Sequence, residues 1–112
     1  MTEKKPKDTI IKKLNIKSNH KDIKEFYYLN KSLIYEKVFD LFKSLKRNDK
    51  NNVVLVISSK INELHWESEL KFNRNQKDIL INELIPYFES LEEYEICGEI
   101  HSLHQKIKII ED

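Results

Sequence analysis

The chain has 112 residues and a formal net charge of +1, with 35% of its residues charged and 39% hydrophobic. This length predicts a single domain with one hydrophobic core. The longest apolar run, Val53–Ile57, is too short to span a bilayer, and no apolar segment follows the basic start of the chain. We therefore expect a cytoplasmic protein that makes no membrane contact. The single cysteine excludes a disulfide scaffold.

Residue usage is biased toward amino acids with A/T-rich codons. The chain has no alanine, one glycine, two prolines and two arginines, and it is rich in lysine, asparagine and isoleucine. Such a coding bias raises the lysine content without any selection for function, so lysine abundance alone does not indicate nucleic-acid binding. The bias and the size are compatible with a phage or mobile-element gene.

Charge is distributed unevenly along the chain. Residues 1–60 contain 15 lysines and arginines against 7 aspartates and glutamates, whereas residues 61–112 contain 5 against 12. Two halves of opposite sign attract one another within a fold, or they present a charged surface to a partner.

The N-terminal part contains the most ambiguous secondary-structure signals. We expect residues 1–9 to form a disordered basic tail and residues 10–112 to form one α+β domain. Residues 10–16 fit a short strand or a helical turn, and residues 17–22 are typical of a turn. The aromatic residues Phe26, Tyr27 and Tyr28 favour a strand over residues 23–29, although a helix from Asp22 through Leu45 fits the same spacing.

The middle of the chain predicts one helix and a β-hairpin. Asn30 is a candidate N-cap for a helix over residues 31–47, which ends at the turn signal in residues 48–52. A continuous apolar run at 53–57, β-branched except for Leu55, predicts a central strand covered on both faces. The next strand alternates, and one of its faces is predicted to be buried, comprising Leu64, Trp66, Ser68, Leu70 and Phe72. Together these strands predict an antiparallel hairpin over residues 53–72.

The C-terminal part predicts two helices. The first begins after residue 75 and is kinked or restarted at Pro86, and the second spans about residues 92–107. A short connection makes them an antiparallel helical hairpin over residues 76–107. The predicted architecture is therefore a small antiparallel sheet over 53–72, extended by 23–29, packed against the 31–47 helix and this hairpin.

The stretch Leu91–Leu103 resembles the UVR domain, a short antiparallel helical hairpin. The matching positions are the aromatic residue, the two glutamates, the small pair and the aliphatic residue of that family's pattern, here Tyr94, Glu95, Cys97, Gly98, Glu99 and Ile100. His101 and Ser102 stand where Arg-Asp is usual. A small pair lets two helices cross closely, which would explain a glycine in mid-helix. UVR hairpins mediate protein–protein contact, so the resemblance implies an interaction surface.

Acidic residues on this hairpin are the first candidate site. We expect contact with another protein, one with a basic groove, through Glu89, Glu92, Glu93 and Glu95. The predicted function is a non-enzymatic adaptor or inhibitor of a larger protein, and a homodimer is compatible with it. The alternative is a nucleic-acid-binding regulator that uses cations beside aromatic residues, namely Lys12, Lys13, Lys24, Tyr27 and Tyr28.

A metal site is the third possibility. Cys97, His101 and His104 fall within one 60° sector of a helix, and His65 or His20 could complete a zinc site. The paired Cys-x-x-Cys signature is missing, so we expect a buried cysteine beside two exposed histidines, without a cofactor.

No residue is predicted to be catalytic. The polar face of the second strand carries Glu63, His65, Glu67 and Glu69, which could do acid–base work but more simply keep a sheet soluble. With one glycine there is no phosphate-binding loop, and no Ser or Cys lies in a recognisable nucleophile motif.

Overall fold

A computed structural model describes residues 9–47 and 50–109. The elements in chain order are β1 (Thr9–His20), α1 (Ile23–Arg47), β2 (Asn52–Ile61), β3 (Leu64–Asn73), a 3₁₀ turn (Arg74–Gln76), a π-helical turn (Leu80–Leu84), α2 (Ile85–Ser90) and α3 (Tyr94–Lys106). The chain is α+β, as predicted. The predicted tail lies outside the described residues except for Thr9, which begins β1. Within the described ranges, no helix is long and apolar enough to cross a membrane.

The three strands form one mixed sheet in the order β1-β2-β3. β2 and β3 pair in antiparallel fashion, so the predicted hairpin is confirmed. The prediction of a strictly antiparallel sheet is wrong, because β1 pairs with β2 in parallel. The reason is the helix between them: β1, α1 and β2 form a crossover unit, which returns the chain in the same direction.

The β2–β3 hairpin closes through a two-residue turn. Asn62 and Glu63 have φ angles of 52° and 69°, the two positive values that match a turn to the twist of the strands. The strands then pair from Ile61 with Leu64 through to Asn52 with Asn73.

β1 is longer than the sequence predicts. It continues through the residues predicted as a turn and ends at His20. Its pairing with β2 shifts between Asn15 and Asn19. Across this irregularity the single O–H of Ser59 has two carbonyl acceptors within reach, that of Ile16 at 2.7 Å and that of Ser18 at 3.0 Å. This side-chain contact ties the polar segment of β1 to β2.

α1 begins at Ile23, so the predicted strand over residues 23–29 is wrong. Asp22 is the reason, because its carboxylate accepts a hydrogen bond from the backbone N–H of Glu25 at 2.9 Å, as an N-cap does. The Glu25 carboxylate in turn accepts from the N–H of Lys21 at 2.8 Å. Asn30, the predicted N-cap, lies inside the helix.

α1 covers one face of the sheet, and the C-terminal helices pack mainly on α1 and on one another. The inner face of β2 is buried at alternate positions, which are Val53, Leu55, Ile57 and Ser59. Buried side chains of α1 join these residues in one core, among them Ile34, Val38, Phe42 and Leu45, and the Phe42 ring stacks on Phe72 of β3 at 4.7 Å. On the other face Val54 and Val56 are only half-buried. The prediction that β2 is covered on both faces is therefore wrong.

The first C-terminal helix is composite. The π-helical turn runs directly into α2, which restarts with Pro86 in its first turn, where the missing proline N–H is tolerated. α3 follows after a three-residue turn that includes Glu92 at φ 59°. Lys77 stabilises the end of α3, because its ammonium donates to the carbonyls of His104 at 3.0 Å and Ile107 at 2.8 Å.

Gly98 does not sit at a close helix crossing. It is exposed on α3, and a Cβ atom added to it would meet nothing within 4 Å. The packing role predicted for this glycine is therefore wrong. The buried positions of α3 are Cys97, Ile100 and Leu103 instead.

Candidate protein-binding site

An open groove lies between α1 and β3 on the helix-covered side of the sheet. It has a volume of about 420 Å³ and is lined mainly by apolar and aromatic side chains, which include Tyr27, Tyr28, Ile34, Tyr35, Ile57 and Leu70. Tyr28 is 83% exposed, Tyr27 is 40% exposed and Leu70 is 38% exposed. Adjacent exposed aromatic and aliphatic side chains of this kind often mark a surface that binds a partner.

The groove exists because α1 touches β3 near the two ends of the strand. At one end the Phe26 ring packs against Trp66, with centroids 4.9 Å apart. At the other end Phe42 stacks on Phe72. Between these contacts Ser68 and Leu70 face the groove without a helix above them. The alternation in β3 thus predicts which side chains share the inner face, but of these residues only Phe72 is buried.

An aromatic cluster flanks the groove. The rings of Tyr35 and Tyr87 pack edge to face at 5.1 Å, and the Lys31 ammonium lies 5.4 Å and 5.3 Å from their centroids. The Tyr87 hydroxyl also hydrogen-bonds the Ser32 hydroxyl, which ties α2 to α1. Burial, and then the nearby Glu83 carboxylate, raise the pKa of the Tyr35 phenol. These contacts preorganise one wall of the groove.

The backbone of β3 leaves a hydrogen-bonding edge open beside this groove. β3 is the last strand of the sheet, so no other described segment pairs with its far side. The N–H of Arg74 donates to the Asn51 carbonyl at 3.1 Å, so even-numbered residues of β3 bond to β2. The odd-numbered residues from His65 to Lys71 therefore direct their N–H and C=O groups outward, whereas the N–H of Asn73 already donates to Oε1 of Gln76 at 3.0 Å. This edge can accept another strand.

The opposite edge of the sheet has a different character. β1 carries Lys12, Lys13 and Lys17, all exposed. Lysines on an edge strand discourage pairing with another chain. The β3 edge, with its adjoining groove, is therefore the edge better suited to docking.

The sequence-predicted acidic residues are all accessible. Glu89, Glu92, Glu93 and Glu95 are exposed at the end of α2, in the connecting turn and at the start of α3. They form an acidic surface that is available to a partner.

The structure does not bring the predicted nucleic-acid residues together. Lys12 and Lys13 are neighbours on a strand, so they point to opposite faces of the sheet. Tyr27 and Tyr28 lie on α1 and line the groove, whereas the prediction placed them on a sheet. Lys24 is exposed in the first turn of the same helix.

A different group of cations does converge, in two clefts on either side of the C-terminal half of α1. The first has a volume of about 380 Å³ and includes Lys43, Lys46, Arg47 and Lys106. The second, of about 260 Å³, includes Lys12, Lys37 and again Lys43 and Arg47. Asp40 and Glu99 offset part of this charge.

The Cys97, His101 and His104 side chains have separate surroundings. Cys97 is buried and its thiol faces the Ile85 carbonyl at 3.7 Å. His104 lies 2.9 Å from the Asp78 carboxylate, while His101 is exposed. Across residues 9–47 and 50–109, no group of three or more His, Cys, Asp or Glu side chains could hold a metal ion.

His65, Glu67 and Glu69 lie on the open face of the sheet, and Glu63 lies in the hairpin turn.

The groove was not predicted as a site. Its residues were all visible in the sequence, Tyr27 and Tyr28 as a candidate strand and Leu70 as part of a buried face. What the sequence does not contain is the path of α1 over the sheet, which leaves the middle of β3 uncovered. No protein family, no curated protein and no solved structure matches the chain.

Proposed function

We propose that the chain is a non-enzymatic protein-binding module that adds an extended segment of another polypeptide to the free edge of β3. One observation carries the proposal: an unpaired strand edge lies directly beside an open apolar groove. Backbone bonds to the edge would supply affinity, and side chains at alternate positions of the added strand would enter the groove and supply specificity.

The chemistry of the groove defines the segments that fit. Tyr27, Tyr28 and Leu70 offer aromatic and aliphatic contacts, and Lys31 offers a positive charge. We expect extended peptides with apolar or aromatic residues at every second position. A displayed random-peptide library provides such ligands without knowledge of the natural partner.

The experiment selects peptides on the intact chain and measures their affinity. Trp66, the single tryptophan, packs on Tyr27 at 6.0 Å between ring centroids and reports occupancy by fluorescence. Glu69→Pro removes one outward N–H and should weaken binding about tenfold or more. Glu69→Thr, which keeps that N–H, is the matched control and should bind normally. If both variants bind equally well, strand addition at this edge is wrong.

We further propose the acidic surface as a second contact of the same module. Its support is the exposure of Glu89, Glu92, Glu93 and Glu95 and the resemblance of residues 76–107 to a UVR hairpin. A module with two contact surfaces suits an adaptor, and one that blocks a basic groove suits an inhibitor. Reversal of Glu92 and Glu93 to lysine should abolish capture of a basic partner protein and leave peptide binding at β3 unchanged. Loss of both activities would argue against two surfaces.

A second function is favoured by the basic clefts beside α1. Lys43, Lys46, Arg47 and Lys106 would contact phosphate groups of a nucleic acid. Affinity for a single-stranded oligonucleotide should then fall steeply with salt, and the slope should decrease for Lys46→Ala and Arg47→Ala. Lys24→Ala, on the first turn of α1, is the matched control. The absence of salt-sensitive binding would reject this function.

A further inference from the structure

The charged side chains along β3 are arranged so that a second, antiparallel copy of the strand would place opposite charges next to them. Glu67, Glu69 and Lys71 lie on the open face of the sheet, at the residues whose backbone groups point outward. Glu69 and Lys71 of one strand already lie 3.6 Å apart, with both side chains more than half exposed. Charges in this position would face the side chains of an added strand.

Three registers place the twofold axis of two antiparallel copies near the middle of β3. A twofold axis at Ser68 would place Glu67 opposite Glu69 in both directions. An axis at Glu69 would place the two Glu69 carboxylates directly opposite each other. An axis at Leu70 places each Glu69 opposite Lys71 of the second copy. Because like charges directly opposite destabilise a sheet and opposite charges stabilise it, the axis at Leu70 is favoured.

The same register also provides hydrogen-bond partners for backbone groups at the free edge of β3. With the axis at Leu70, Glu69 exchanges two hydrogen bonds with Lys71 of the second copy, and the N–H of Glu67 donates to the Asn73 carbonyl, while the Asn73 N–H keeps its bond to Oε1 of Gln76. The outward N–H groups of all four positions then have partners. Leu70 meets its own symmetry mate on the inner face, where it is 38% exposed in the single chain.

The grooves of the two copies also meet. Each groove is lined by Leu70 of the edge strand and by Tyr27 and Tyr28 of α1. Joining the edges places the two open grooves next to each other on one side of a continuous sheet. Apolar side chains that are accessible in one copy are thereby removed from water.

From these relations we propose that the polypeptide bound at the β3 edge is a second copy of this chain. The product is a symmetric dimer with a six-stranded sheet and its axis at Leu70. The inference rests on the proposed strand addition at β3 and names its occupant.

Cysteine crosslinking tests the register. In a non-hydrogen-bonded antiparallel pair the Cα atoms are about 4.5 Å apart, within disulfide range. Leu70→Cys should therefore crosslink into a covalent dimer under mild oxidation. Ser68→Cys is the matched control, because its symmetry mate lies about 13 Å away along the strand. The native Cys97 is buried and should stay reduced.

Charge reversal tests the ion pairs independently of the crosslink. Glu69→Lys and Lys71→Glu should each weaken the dimer about tenfold or more, measured by analytical ultracentrifugation. The double variant restores opposite charges at both contacts and should dimerise like the wild type. Circular dichroism of each variant checks that the monomer fold is intact.

The outcomes separate this inference from the proposed function. If the wild type stays monomeric up to its solubility limit and Leu70→Cys does not crosslink, the second copy is not the occupant. Peptide binding that is still sensitive to Glu69→Pro would leave strand addition standing in that case. If a dimer forms but neither charge variant weakens it, the proposed interface is wrong. Loss of dimer in the single variants with recovery in the double variant supports it.

Discussion

The side-chain amide of Asn30 lies 3.2 Å from Nε2 of His20 and also donates to the Phe26 carbonyl at 2.9 Å. His20 is 3% exposed, and its Nδ1 lies 3.4 Å from the Lys60 carbonyl. Since the amide donates to Nε2, the imidazole carries its proton on Nδ1 and donates to that carbonyl. One polar cluster thus joins the end of β1, the first half of α1 and the end of β2.

Asn30→Ala should destabilise the fold by about 1–2 kcal/mol, because it leaves a buried ring nitrogen without its donor. The free energy of unfolding in urea measures the effect. Asn82→Ala is the matched control, because Asn82 is exposed in the π-helical turn, and it should change stability by less than about 0.5 kcal/mol. Equal effects of the two substitutions would show that the His20 contact does not stabilise the fold.

Arg74 joins the end of α1 to the start of β2. Its guanidinium donates to the Leu45 carbonyl in the last turn of the helix and to the Lys50 carbonyl at 2.7 Å. Carbonyls at a helix end lack partners within the helix, so a cation there both satisfies and attracts them.

Arg74→Ala should therefore lower the free energy of unfolding by about 1–3 kcal/mol. Arg47, the other arginine of the chain, is exposed at the end of α1 and provides the matched control. Arg47→Ala should cost about 0.5 kcal/mol or less. Arg74→Lys should recover only part of the loss, since an ammonium lacks the planar fork of donors. Full recovery with lysine would mean that charge alone accounts for the role of Arg74.

Local sequence patterns correctly predicted the elements for which no competing pattern was present. The alternation in β3 and the β-branched run in β2 gave the hairpin, and the apolar spacing from Leu33 to Leu45 gave the body of α1. The start of α1 was missed because three consecutive aromatic residues favour a strand. The Asp22 cap and the burial of Phe26 against Trp66, a contact 40 residues distant, decide in favour of helix.

Tertiary arrangement accounts for the remaining differences. No local pattern distinguishes a parallel β1 from an antiparallel one, because that depends on the crossover through α1. The candidate groove depends on the same crossover, since the position of α1 decides which inner-face side chains of β3 stay accessible. The acidic surface was predictable because clustered glutamates on short helices remain exposed in almost any packing.

Gly98→Ala should stabilise the protein by about 0.5–1 kcal/mol. Glycine is a poor helix former, and an added methyl group at this position meets no neighbour. Thermal unfolding should shift upward by a few degrees. Gln105→Ala, also exposed on α3, should shift it less, because glutamine is already a good helix former. A destabilising Gly98→Ala would instead support the close helix crossing that the UVR-like pattern predicts.

Cys97 should behave as an inert thiol in the folded protein. The side chain is 7% exposed, and burial raises the pKa of the thiol, with Glu89 acting in the same direction. Reaction with a disulfide reagent at pH 8 should be on the order of 100-fold slower than in the unfolded chain, since the thiolate is both scarce and shielded.

The raised pKa of the Cys97 thiol also makes the free energy of unfolding depend on pH. The folded state holds the thiol proton more tightly than the unfolded state. The protonated thiol therefore contributes to the free energy of unfolding in full below the unfolded pKa of about 8.5, and this contribution is lost as the pH rises through the folded pKa. The difference in free energy of unfolding between wild type and Cys97→Ala should be constant from pH 6 to pH 8. Above that range it should shrink, because only the wild type has this proton to lose. A difference that stays constant, or grows, above pH 9 would show that burial does not favour the protonated thiol.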